Sequence, residues 1–231
     1  MAQTPASPPT LAPGADPAPP PTPEQIGYQF GLGFGTQLHG AGITNEISVE
    51  ALARGVQDAL AGKTITQADQ QQIQSFVRGV QAKQVSRNQA AAKSFMERNG
   101  KDKNVVTTAS GLQYKINAPG DKKAPAIGPT DTVTVDYRGK LLDGTEFDSS
   151  YSRGVPTSFQ VNGVIKGWQE AIVLMKPGAK WTLWIPPELA YGNSPQGKIP
   201  AGSLLIFDIT VISSKPASAP APAFTPRPTP N

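Results

Sequence analysis

The sequence contains no cysteine and a single histidine, His39. The first absence excludes disulfides, thiol catalysis and cysteine-based metal centres, and it fits an oxidising compartment without requiring one. No apolar run approaches the roughly 18 residues that a membrane-spanning helix needs. Nor does any basic run reach five residues, and the formal charge of +4 is mild, which argues against nucleic acid as a partner. By segment the charge is −3 over residues 1–66, +4 over 67–110 and +3 over 111–231. The middle excess reads as a solvated helix more readily than as an anion-binding face. Met1-Ala2-Gln3-Thr4 lacks the basic, then apolar, character of an intact export leader, so Met1 reads as a start placed on a mature exported chain.

What the chain has in excess is proline and glycine, 24 and 23 residues, with the prolines gathered at the two ends. Residues 1–21 hold almost no large apolar group and are expected to form a disordered leader; residues 214–231 are expected to form a similar tail. Between them, Thr22-Pro23-Glu24-Gln25 has the form of a helix start, with Thr22 as cap, Pro23 at the first helical position and Gln25 completing a capping box. In the helix that follows, to about Leu38, Gly27, Gly31 and Gly35 recur every fourth residue opposite Tyr28, Phe30, Leu32 and Phe34. Three helical glycines cost about 1 kcal/mol each relative to alanine. The return for that cost is close approach of another backbone along the ridge. A dinucleotide loop at Gly31-Leu32-Gly33 is the competing reading, and it fails because no strand precedes it and Thr36 stands where a third glycine belongs.

Ser48 caps a second helix over about Val49–Ala61, with Leu52, Val56, Ala59 and Leu60 as its expected buried stripe. Thr66-Gln67-Ala68-Asp69 opens a third, which meets no breaker except Gly79 before Asn99-Gly100. At 1.5 Å per residue it is roughly 50 Å long. Ile73, Phe76, Val77 and Val80 give its first half an apolar seam. Beyond Val85 the surface is polar nearly all round, the mark of a helix that crosses solvent. So little apolar material makes a poor monomeric core, and a homodimer through residues 22–80 is expected.

After Asn104 the period changes from helical to alternating. Strands are expected at Leu112–Ile116, Val133–Arg138, Glu146–Asp148 after an Asp143-Gly144 turn, Ser158–Val161, Trp181–Ile185 and Leu205–Val211. One short helix interrupts them, Val164 to Met175, with Val164, Ile165, Trp168, Ile172 and Met175 on one face, widened by Val173 and Leu174. Two turns of helix cannot stand alone in water, so the strands must wrap it. The fold class is therefore α+β. It comprises a curved antiparallel sheet around one helix at residues 105–213, preceded by an all-α dimerisation domain at 22–65 and a long connecting helix at 66–104.

Val133-Thr-Val-Asp-Tyr-Arg-Gly, Asp143-Gly-Thr-Glu-Phe-Asp-Ser-Ser, Val164-Ile-Lys-Gly-Trp, Ala190-Tyr-Gly and Leu205-Ile-Phe-Asp together resemble the FKBP-type peptidyl-prolyl isomerases, in that family's order and spacing over about residues 110–212. Gly55-Val-Gln-Asp-Ala-Leu and Ser110-Gly-Leu-Gln-Tyr-Lys are similar to its dimeric macrophage infectivity potentiator branch. The resemblance implies a V-shaped dimer, proline-containing polypeptide clients, inhibition by macrolides and a periplasmic, outer-membrane-associated or secreted location in a Gram-negative bacterium. It also implies a pocket made of Tyr137, Phe147, Asp148, Phe159, Val164, Ile165, Trp168, Tyr191, Ile199 and Phe207, with Tyr191, Asp148 and Trp168 closest to the chemistry.

The departure from the pattern is the loop Gly192–Lys198, shortened and differently composed, which bears on substrate preference. Asp148 has two readings, one facing the distorted amide and one binding Tyr137 and Arg153. Prolyl isomerisation makes and breaks no covalent bond, so no cofactor or metal is expected. The function implied is a dimeric folding catalyst for exported proteins. The alternatives are a dimeric holdase with incidental turnover and a virulence-associated adhesion factor.

Overall fold

A computed structural model describes residues 20–217; the expected leader and tail fall almost wholly outside the described residues. The chain divides into two compact units, one ending at Leu38 and the other starting at His39.

Helix α1, Pro23–Gly40, starts as its first residues require. The Thr22 N–H donates to Gln25 Oε1 at 2.9 Å and the Gln25 N–H to Thr22 Oγ1 at 3.3 Å, which satisfies two donors that the helix start leaves open. None of its residues is buried, and a Cβ added at Gly27, Gly31, Gly33 or Gly35 would meet nothing within 4 Å beyond its own stretch of helix among the described residues. His39 lies in its last turn and is exposed.

In the second unit, α2 spans Val49–Leu60, capped by Ser48, and α3 spans Gln67–Asn99, where Thr66 and Asp69 form a reciprocal capping box. The stripe expected to be buried on α2 is open to solvent: Val56 is 52% and Leu60 85% exposed. The amphipathic pattern is real, but nothing within the described chain covers it. In the first half of α3 the expected seam is split: Ile73 and Phe76 are exposed, Val77 is half-buried and Val80 is buried. Its second half departs from expectation. Ala92 is buried, and Asn88, Gln89 and Asn99 make hydrogen bonds to the sheet domain, so this stretch docks and does not cross solvent.

The sheet domain contains β1 (Val106–Thr107), β2 (Gln113–Pro119), β3 (Thr132–Lys140), β4 (Glu146–Ser149), α4 (Ser150–Arg153), β5 (Thr157–Gln160), α5 (Lys166–Leu174), β6 (Ala179–Ile185) and β7 (Leu205–Lys215). The order across the sheet is β1-β2-β6-β7-β3-β4, with β5 pairing the Thr132–Val135 end of β3 and β4 its Arg138–Lys140 end, and all the pairs are antiparallel. The two-residue β1 had no signal in the sequence, being too short to show a period. The next strand begins one residue later than expected and runs on to Pro119 past a register shift at Ile116/Ala118. Strand β7 continues to Lys215 because β3 pairs with it as far as Thr132.

Alternation puts Val133, Val135 and Tyr137 of β3, Trp181, Leu183 and Ile185 of β6, and Leu205, Phe207, Ile209 and Val211 of β7 into the core. On this inner face lies α5, burying Gly167, Trp168, Ala171 and Ile172, with Met175 buried just beyond its end. Leu174 points outward and is 50% exposed, so the apolar face of α5 is narrower than its composition implied. Gly167 packs where a side chain has no room: a Cβ there would lie 2.5 Å from Ile185 Cγ2. The helix backbone thus rests directly on the Ile185 side chain of β6, and Trp168 is buried beside it.

Candidate active site

A cavity of about 790 Å³ opens beside α5. All ten side chains singled out in the sequence line it: Tyr137 from β3, Phe147 and Asp148 from β4, Phe159 from β5, Val164 and Ile165 before α5, Trp168 on it, Tyr191 and Ile199 from the β6–β7 connection, and Phe207 from β7. Gly163, Ala190, Gln196, Gly197 and Lys198 complete the lining. Gln196, Gly197 and Lys198 belong to the loop where the family pattern breaks off, so the pattern carries no signal for them.

Trp168 is 4% exposed and forms the bottom of the cavity. Tyr137, Phe159 and Phe207 stand around its indole edge-on, at interplanar angles of 87°, 85° and 82° and centroid distances of 5.2, 5.7 and 5.1 Å. Edge-to-face contacts of this kind are a favoured packing of aromatic rings. Phe147 meets Phe207 in the same way at 5.5 Å and 85°. Gly139 makes this possible, since a Cβ there would lie 2.6 Å from two atoms of the Phe147 ring and 2.7 Å from Phe207 Cε1.

The polar groups are few and mostly spoken for. The Tyr137 hydroxyl donates to Asp148 Oδ2 at 2.5 Å and accepts from Arg153 Nη2 at 2.8 Å, while Arg153 Nη1 pairs with Asp148 Oδ1. Partial burial pushes the Asp148 carboxyl upward. The hydrogen bonds from Tyr137 and Arg153 and the nearby guanidinium charge outweigh it, holding the group below its ordinary value. Burial, then the hydrogen bond to Asp148, raises the Tyr137 phenol. Both carboxylate oxygens are therefore engaged inside the protein. Tyr191, by contrast, is 40% exposed at the rim.

The segment before α5 is also partly committed. The Ile165 carbonyl accepts from the Trp168 and Gln169 N–H groups at 2.9 and 3.1 Å, and the Val164 carbonyl accepts from Gln169 Nε2 at 2.6 Å. What this segment can offer a ligand is therefore its N–H groups. No group of three or more metal-ligating side chains occurs among the described residues.

A cavity walled by aromatic rings, with the Tyr191 hydroxyl, Gln196 and Lys198 among its lining and an ion-paired carboxylate at Asp148, suits an apolar group. Two family models cover the chain, FKBP-type peptidyl-prolyl cis-trans isomerase over residues 123–212 and the domain amino terminal to FKBP-type peptidyl-prolyl isomerase over residues 23–116. The chain is 40% identical over 181 residues to the FKBP-type peptidyl-prolyl cis-trans isomerase FkpA of Escherichia coli (strain K12), a match spanning 74% of this chain and 66% of that one. It is 39% identical over 184 residues to the outer membrane protein MIP of Legionella longbeachae, covering 75% of this chain and 78% of that one. This chain belongs to the FKBP-type peptidyl-prolyl cis-trans isomerase family. The crystal structure of FkpA from Escherichia coli superposes with a TM-score of 0.62 at 37% identity, covering 85% of this chain and 99% of that one. The α+β architecture expected from the sequence is thus the family's fold, and the chain is an isomerase by class.

Proposed function

We propose that the chain accelerates rotation about X–Pro bonds of exported polypeptides, that the cavity over Trp168 is where this occurs, and that the chain works as a homodimer through residues 22–80. The observation that carries the site is the cage of aromatic rings around the Trp168 indole at the bottom of the cavity. Rotation breaks amide resonance, a barrier near 18–20 kcal/mol. In the twisted state the amide loses its charge separation, so an apolar, water-poor wall favours that state over the planar one. Trp168 lies flat under the pyrrolidine ring, and Phe147, Phe159, Phe207 and Tyr137 form the wall.

An acceleration of about 10⁵-fold requires about 7 kcal/mol. A well-placed donor in a closed site contributes about 3–4 kcal/mol. Tyr191 donates to a substrate carbonyl from a half-open rim, so the shaped apolar wall carries most of the effect. Asp148 acts by orienting Tyr137 and Arg153, because both its oxygens are already engaged. The N–H groups of Val164 and Ile165 receive the extended peptide. An apolar residue before proline is preferred because the rim is aromatic.

The exposed apolar faces of α1 and α2 support the dimer, with Tyr28 at 69%, Phe30 at 77% and Leu60 at 85% exposure. They are the surfaces that a second copy would cover. An extracytoplasmic location is supported by the cysteine-free sequence and by a relative named as an outer membrane protein; among the described residues no helix is long and apolar enough to cross a membrane. A holdase with incidental turnover is not favoured, since the family and FkpA are named for isomerisation. The test of the site is a protease-free isomerisation assay on Trp168→Ala and Tyr191→Phe. Unchanged rates in both would remove the assignment.

A further inference from the structure

The docked half of α3 meets the sheet domain along one helical face formed by Val85, Asn88, Ala92, Met96 and Asn99, each partly or fully buried. Part of this face lies over the β6–β7 connection, the loop that supplies Tyr191, Lys198 and Ile199 to the pocket. Asn88 Nδ2 donates to the Ala201 carbonyl at 2.8 Å, and Gln89 Nε2 donates to Asn193 Oδ1 at 3.0 Å. Between these two bonds lies Gly202, buried and at φ +74°, where a Cβ would come 3.0 Å from the Val85 carbonyl oxygen and 3.3 Å from its Cα. Those are backbone atoms of a helix and cannot swing aside. The Gly202 N–H in turn donates to the Gly192 carbonyl at 2.9 Å, tying the two ends of the loop together one residue from Tyr191.

We infer that α3 sets the position of this loop through Asn88 and Gly202, making both positioning residues for a pocket that neither of them lines. The inference rests on the pocket being the isomerase site. Inside the loop, Gly192 N–H bonds to Pro187 and Gln196 pairs with Ile199, so its shape is partly self-made. Its placement over the cavity depends on the Ala201–Gly202 stretch, which α3 holds. Releasing that stretch lowers the fraction of molecules with Tyr191 and Ile199 in place. Apparent affinity for anything that needs the placed loop falls by the same fraction.

The test uses the full chain carrying Asn88→Ala and, separately, Asn88→Asp, which keeps the shape but turns a donor into an acceptor facing a carbonyl. Asn88→Ala replaces a helical residue with the best helix former, so the fold is retained, and the melting temperature checks it. The expected result is a fall of about three- to tenfold in kcat/KM on X–Pro peptides, with a macrolide that fills the pocket weakened by a similar factor. In the Tyr191→Phe background the fall should shrink, because much of what Asn88 positions is already gone. Gly202→Ala should reproduce the pattern. No fall, or one that persists undiminished in the Tyr191→Phe background, overturns the inference. Because the unsubstituted chain and Tyr191→Phe are assayed alongside, a failure of the pocket assignment itself would show separately.

Discussion

The ring of Phe207 stands at 82° to the indole of Trp168, with the two centroids 5.1 Å apart. One residue comes from the strand and the other from the helix that the strand encloses, so the contact that closes the core also shapes the cavity. Removing either ring is therefore expected to weaken packing and turnover together. Trp168→Ala is expected to destabilise the domain by about 3–5 kcal/mol. Trp168→Phe keeps much of the volume, and in it loss of turnover should exceed loss of stability. Denaturant melts set beside kcat/KM separate the two effects.

Tyr191→Phe isolates the rim hydroxyl. At 40% exposure, the hydrogen bond proposed between this hydroxyl and a substrate carbonyl would compete with water. Such a bond is worth about 1 kcal/mol, which corresponds to a roughly fivefold fall in kcat/KM with stability unchanged. A loss of a hundredfold would mean that the hydroxyl and not the apolar wall dominates.

Gly139→Ala tests the wall from behind. Its Cβ would land 2.6 Å from Phe147 and 2.7 Å from Phe207, so both rings must move. Overpacking of this kind costs about 1–3 kcal/mol. Both a lower melting temperature and weaker macrolide binding are expected. A variant that melts lower yet binds equally well would show that the ring positions are not critical.

The pH dependence follows from Asp148 and Tyr137. The Asp148 pKa is depressed in the folded protein, so its contribution is present above the unfolded carboxylate value, near pH 3.9, and is lost as pH falls through the lower folded value. The Tyr137 pKa is raised, so its contribution is present below about pH 10 and is lost as pH rises through the higher folded value. Stability and kcat/KM should both be flat from about pH 5 to 9. With Asp148→Asn the loss attributable to this group at low pH should disappear. A titration near neutrality in the unsubstituted chain would point to a group outside the site.

Sedimentation should find twice the 24.3 kDa chain mass, and an Asp or Lys substituted for the exposed Phe30 or Leu60 should shift it toward one. A monomer at micromolar concentration would contradict the dimer.

The strands and the pocket were legible because their signals are local and strong. Val133, Val135 and Tyr137 alternate cleanly, and Val164-Ile165-Lys166-Gly167-Trp168 stands in a fixed order beside them. The docking of α3 was not legible, because Asn88, Gln89 and Ala92 hold the sheet domain by hydrogen bonds and small size, which carry no hydrophobic period. The stripe on α2 was legible as amphipathic, but burial is a property of what lies opposite, and among the described residues nothing covers Val56 or Leu60. The two readings of Asp148 could be weighed only once its oxygens were seen to reach Tyr137 and Arg153. The placement of Gln196, Gly197 and Lys198 depends on how the loop folds back through the Gly192–Gly202 bond, a long-range closure that composition does not report.

The most direct test is exchange spectroscopy on an X–Pro peptide with the full chain, with and without a macrolide that fills the cavity. Uncatalysed exchange takes tens to hundreds of seconds. Exchange far faster than that is expected, restored to the uncatalysed rate by the macrolide and little accelerated by Trp168→Ala. Rapid exchange that survives both the macrolide and the substitution would place the activity somewhere other than the cavity over Trp168.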